Sequence, residues 1–213
     1  MRDLMNYFSN SDIKIHHDFA SSLRLNPQVF NYCNSSYQLP VSSKQRLERY
    51  LALGQPFLMP YGNLNQADTL IAFSFGDSSD VNIQLSELAE KIQDSYPNIH
   101  VQLQQEIALH YPRNKQISII ENKNYQTTAD IAREALNNID SRNVVVVAQS
   151  WHAKRCIDTC KQQGWNVVGL RCVDSFPSQD PQPWVRNPLN WLIKESHREI
   201  ATGQEISQLF QLC

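Results

Sequence analysis

Apolar and polar residues change their spacing near residue 68, and the two regimes predict different structure. Before that point the clearest pattern runs over residues 42–54. Ser42 and Ser43 stand at its start, Leu47, Tyr50 and Leu51 follow at helical spacing, and Gly54 supplies a stop. Asp18 or Ser21 marks the start of an earlier helix, and Pro56 and Pro60 close the segment. Residues 1–63 therefore read as a helical extension packed on a main domain of residues 64–213, with a share in any pocket wall.

From Asp68 onward, short apolar runs alternate with helical spacing. Residues 69–75 (Thr69-Leu70-Ile71-Ala72-Phe73-Ser74-Phe75), ended by Gly76-Asp77, predict a first strand. Residues 99–103, 116–120 and 167–173 predict three more, and Asn143-Val144-Val145-Val146-Val147-Ala148 is the strongest. Four consecutive valines mark a strand buried on both faces, as in the middle of a parallel sheet. Leu88, Ala89 and Ile92 place a helix over residues 86–96, and residues 106–110 form a short one. Ile131, Ala132 and Ala135 place another over residues 128–137, and a helix carrying His152 runs to Gln163, where Gly164 stops it. Pro177, Pro181 and Pro183 predict a loop, and Trp191, Leu192 and Ile193 a closing helix over residues 187–203. The alternation is that of βαβ units, so the expected class is α/β with a mostly parallel, five-stranded sheet.

Composition narrows the functional classes. Hydrophobic residues make up 41% of the 213, enough for a substantial core. A net charge of -2 gives no basis for nucleic-acid binding. No run approaches the roughly 20 apolar residues that span a bilayer, and the first ten residues lack a signal-peptide pattern. A cytoplasmic protein without a membrane span is expected. Five cysteines, Cys33, Cys156, Cys160, Cys172 and Cys213, make a disulfide framework an unsuitable reading.

Candidate chemistry gathers where the valine strand enters its helix, at Gln149-Ser150-Trp151-His152 with Arg155. Open α/β sheets bind ligands at the carboxyl ends of their strands. Ser150 is the expected helix cap, and amides at the helix start favour an anion. Arg155 adds a fork of donors for phosphate or carboxylate, and His152 is a candidate acid or base. The plainer reading is a capped helix with a solvated arginine. Glu121 directly follows a strand and falls at the same carboxyl edge, though it also reads as a surface carboxylate. Thr127 and Asp130 have capping spacing. His152, Cys156 and Cys160 lie four apart, but three ligands along one straight helix spread too far to converge on a metal, so no metal site is assigned. His16-His17 reads as a surface pair. The chain has no P-loop lysine motif and no glycine-rich dinucleotide fingerprint, and only six glycines.

The succession of Asp68 to Gly76, Glu121 with Thr127, and an apolar strand running into His152-x-x-Arg155 resembles the YdcF/SanA/ElyC-like family, a bacterial family known as domain of unknown function 218. Over residues 66–201, Glu121, Thr127, His152 and Arg155 fall on matching positions. Arg198-Glu199 resembles an Arg-Glu near the family's end, and Glu106 an acidic position after the second strand. Gln126 and Asp130 stand where asparagines are usual, Ala148-Gln149 replaces a Thr-Ser pair, and Gln102-Leu103-Gln104 replaces a Ser-Gly-Gly motif, so the chain is identified as a divergent member. The resemblance implies a Rossmann-like three-layer sandwich with its pocket at the sheet's carboxyl edge. Many relatives are membrane-anchored and linked to the bacterial envelope.

The expectation is a small-molecule-binding α/β protein whose ligand is phosphate-bearing or nucleotide-like. Arg155, Ser150, Gln149, Thr127 and Gly76 would bind it, with His152 and Glu121 as the catalytic candidates, and Arg155, His152 and Glu121 should line one cleft. The alternative is a structural or regulatory protein that keeps the fold with a degenerated pocket, using Trp184, Trp191 and the proline-rich loop as a partner surface. No reaction, cofactor or oligomeric state is assigned.

Overall fold

The computed structural model describes residues 2–15, 37–53, 55–121, 126–137 and 139–213. The helix start expected at Asp18 or Ser21, the His16-His17 pair, Cys33 and the Gly54 stop lie outside them. In chain order the elements are α1 (Arg2–Asn10), α2 (Val41–Ala52), β1 (Tyr61–Gly62), β2 (Thr69–Ala72), α3 (Ser79–Ser95), β3 (His100–Gln104), α4 (Gln105–Ala108), β4 (Ser118–Ile120), α5 (Thr128–Asn137), β5 (Asn143–Gln149), α6 (Ser150–Gln162), β6 (Asn166–Val173), α7 (Pro188–His197) and α8 (Gly203–Phe210). Short 3-10 turns lie at Leu64–Gln66 and Pro183–Val185. Two compact units result, one of Met1–Pro56 with Phe176–Cys213, the other of Phe57–Ser175.

The helical unit joins the two ends of the chain. α2 packs on α7, and α7 on α8. Leu4, Phe8, Leu47, Leu51, Trp191 and Leu192 are buried. The Tyr37 hydroxyl receives the Cys213 backbone N–H at 3.2 Å, while the Asn190 amide donates to the Cys213 carbonyl at 2.9 Å. The closing helix expected over residues 187–203 is in fact two. α7 ends at His197, and α8 begins with a capping box, in which the Thr202 side chain receives the Glu205 N–H and the Glu205 carboxylate receives the Thr202 N–H. That box holds the Glu205 carboxyl below its usual range.

The unit Phe57–Ser175 is built on a sheet of order β1-β6-β5-β2-β3-β4. All pairings are parallel except β1 with β6. Six strands replace the expected five. The additional one has only two residues, too short for any alternation to reveal. It is fixed by backbone approach: Gly62 has φ 81°, and a Cβ there would lie 2.1 Å from the Val168 carbonyl oxygen. Only glycine tolerates both conditions. The Arg171 guanidinium then ties the strand down by donating to the Tyr61 and Gly62 carbonyls at 2.8 and 3.3 Å.

β5 lies inside the sheet between β6 and β2, as its valines predict, and Val144 to Val147 are fully buried. Alternation divides them between two faces. Val144, Val146 and Ala148 join Ile71 and Phe73 of the β2 segment, Ile131, Ala132 and Ala135 of α5, and Ala153, Cys156, Ile157 and Cys160 of α6 in one cluster. The Trp165 indole N–H reaches the Ala132 carbonyl at 2.9 Å within it. Val145 and Val147 turn the other way. α3 contributes nothing to that cluster and contacts β2, β5 and β6. Among the described residues no helix is long and apolar enough to cross a membrane.

Candidate functional site

The chain leaves β2 toward β3 and β4 on one side, then returns through α5 to β5 on the other side of β2. Connections therefore diverge between the carboxyl ends of β2 and β5. A cleft opens between such loops in open α/β sheets.

The loop after β2 is held by a fully buried asparagine. Asn82 on α3 accepts the Phe75 N–H at 3.2 Å and donates to the Gly76 and Ser78 carbonyls at 3.1 and 2.9 Å. Gly76 takes φ 74°, which turns the loop. The Gln104 side chain accepts the Ser74 N–H at 3.0 Å, joining the ends of β2 and β3. Asn82 escapes a pattern reading because it looks like any polar helix residue. Its signal is position: it shares the buried face with Val81, Leu85 and Ala89, where a polar group needs partners.

The turn after β5 is capped differently from the expectation. Gln149, not Ser150, is the cap, and its carbonyl oxygen accepts the Trp151 and His152 N–H groups at 2.7 and 3.2 Å. Its amide donates to the Ser175 carbonyl at 3.3 Å. Ser150 instead donates its hydroxyl to the Val173 carbonyl at 3.1 Å, bridging to β6. Two of the amides expected to face an anion are thus occupied by Gln149.

His152 sits in the first turn of α6, only 6% exposed. Its ring lies 6.0 Å from that of Phe75, linking the loops after β2 and β5. Arg155 Nη2 approaches His152 Nε2 at 2.8 Å. A guanidinium has donors and no lone pair to offer, so Nε2 accepts in this contact. The Thr128 hydroxyl is 3.4 Å from the same nitrogen. α5 and α6 pack together, which brings Thr128 there.

Thr127 and Asp130 form the cap their spacing predicts. Thr127 donates its hydroxyl and N–H to the Asp130 carboxylate at 2.6 and 3.0 Å, and these bonds hold that carboxyl below its usual range. Thr127 itself is exposed, and the neighbouring Thr128 faces His152.

Glu121 is exposed and bonds to neither His152 nor Arg155. Register puts Ile119, Leu103, Ala72 and Val147 in one row, so Glu121 is level with Gln149. It nevertheless follows the outermost strand, three spacings from β5, about 14 Å across the sheet. The structure therefore links Phe75, Thr128, Gln149 and Arg155 to His152, and leaves Glu121 and Thr127 outside that group. Cys156 and Cys160 are fully buried in the core, and burial pushes the Cys160 thiol up to about 12. Such a thiol stays protonated and packs as a small apolar group. No cluster of three metal-ligating side chains occurs among the described residues. No protein-family model, curated protein or solved structure matches the chain.

Proposed function

We propose that the unit Phe57–Ser175 is a Rossmann-like, three-layer domain that binds a small phosphate-bearing or nucleotide-like ligand between the carboxyl ends of β2 and β5. The observation that carries this reading is the Arg155–His152 pair, in which the guanidinium meets the imidazole Nε2 at 2.8 Å on the helix that follows β5. The divergence of connections at β2 and β5 supports the location. Arg155 supplies the charge and the fork geometry for the anion, and Thr128 meets the same His152 nitrogen. His152 seats Arg155, and Glu121 is left out of the binding group. The sequence pattern His152-x-x-Arg155 after β5 also supports kinship with the YdcF/SanA/ElyC-like family, as a divergent relative.

A thermal-shift screen of nucleotides and sugar phosphates tests the reading. A ligand at one hundred times its Kd adds about 2.7 kcal/mol, which raises the midpoint by roughly 5–10 °C. Arg155→Ala is expected to abolish the rise. A second reading, a structural or regulatory protein that keeps the fold without a working pocket, is favoured by the Gln149 side chain filling the helix start. It is the correct one if no anion moves the midpoint.

A further inference from the structure

We propose that His197 is an acid-sensitive latch between α7 and α8, whose neutral ring holds the Phe210 end of α8 and whose protonation releases it. The ring is buried, and its centroid lies 5.0 Å from that of Phe210, edge to face. Nδ1 lies 2.9 Å from the Ile193 carbonyl oxygen and 3.0 Å from the Ser196 hydroxyl. A carbonyl oxygen only accepts, so Nδ1 is the donor and the neutral ring keeps its lone pair on Nε2. Nε2 is buried without a hydrogen-bond partner among the described residues. A proton taken from solvent onto Nε2 forms one N–H bond, and with it a buried charge that has no acceptor. The imidazolium is relieved by swinging out to water, which breaks the contact with Phe210 and uncovers Ile206 and Phe210, the buried residues of α8. The opening is local. The start of α8 stays fixed by the Thr202 capping box and by Gly203, where a Cβ would meet the Trp184 ring at 2.9 Å, and Cys213 stays tied to Tyr37 and Asn190.

The elements packed on α7 are α2, α8 and the Pro183–Val185 turn. α2 carries Lys44, Arg46, Glu48, Arg49 and Tyr50; of these Arg46 acts on the ring, and it is a cation. α8 carries Glu205, whose carboxylate is held in the capping box. On α7 itself Lys194 and Glu195 pair at 2.7 Å, and Arg198 and Glu199 follow the helix. The Pro183–Val185 turn has no titratable side chain. Burial is the largest cause holding the His197 pKa below the ordinary histidine value; the Ile193 bond opposes it and the Arg46 charge adds to it. The closed state is therefore fully stable above the ordinary pKa, where open and closed rings are both neutral. It loses stability as the pH falls below that value, because the open ring takes the proton first.

Two measurements on the full chain test the latch: an NMR titration of the His197 ring, and amide exchange across residues 206–210 between about pH 7.5 and about pH 5, spanning the histidine range. The ring is expected to titrate below the ordinary value of about 6.5. The opening equilibrium of the α8 amides, corrected for the pH dependence of intrinsic exchange, should rise toward roughly tenfold per pH unit below that value, while the α2 amides keep their protection. His197→Phe, which fills the same space without a titrating nitrogen, should hold α8 equally closed at both ends of the range. If that variant does not fold, the ring titration and the exchange of the wild-type protein decide the matter. A ring that titrates at or above the ordinary value overturns the latch. So does α8 opening that is unchanged by acid, or that rises equally in folded His197→Phe.

Discussion

Asn82→Ala is expected to lower the free energy of unfolding by about 3 kcal/mol, one of the two largest effects the structure predicts. The side chain is fully buried and makes three hydrogen bonds to the backbone at Phe75, Gly76 and Ser78. Each such bond contributes about 1 kcal/mol net, and a buried backbone group left without a partner costs about 1–3 kcal/mol. Alanine retains helix propensity, so little of the loss arises within α3 itself. The loop after β2 should open before the sheet does. Amide exchange of the buried β2 and β5 groups reports the global loss, and faster exchange at Phe75 reports the local one. A global change below about 1 kcal/mol would show that water replaces the asparagine at small cost.

Gln149→Ala should be comparably costly to stability while having the opposite effect on anion binding. The substitution removes the acceptor of the Trp151 and His152 N–H groups, both on buried residues, and the donor to Ser175. A lost cap with two orphaned amides costs about 2–4 kcal/mol. Those same amides then carry uncompensated partial positive charge at a helix start, beside Arg155. Sulfate affinity should rise roughly five- to tenfold, equivalent to about 1 kcal/mol. Destabilisation together with tighter sulfate binding would establish that Gln149 occupies the place of a ligand oxygen. Destabilisation with unchanged affinity would locate the anion away from the helix start.

What the sequence made legible follows from the range of each interaction. The four valines declared an interior parallel strand because burial on both faces leaves no polar position. The Thr127 and Asp130 cap was legible because it is closed within four residues. His152 and Arg155 were paired by one helical turn, and the structure sets them in contact. β1 was not legible, since its two residues are specified by the close approach of Gly62 to Val168, 106 positions later. The cap at Gln149 was misassigned to Ser150 because preference statistics favour short side chains, whereas here a glutamine side chain accepts the first helix amides. Glu121 looked like a site residue because the carboxyl ends of all the parallel strands lie at the same edge. Lateral strand order, which no local pattern carries, puts it on the far side.

The central claim is that an anionic ligand binds between the carboxyl ends of β2 and β5, held by Arg155. Chemical-shift mapping of the isotopically labelled chain with adenosine monophosphate tests it most directly. The account predicts saturable shifts at the Gly76 and His152 amides, the Gln149 side-chain amide and the Arg155 Nε–H, with Glu121 unmoved. Shifts confined to other surfaces, or none at saturating nucleotide, would contradict it.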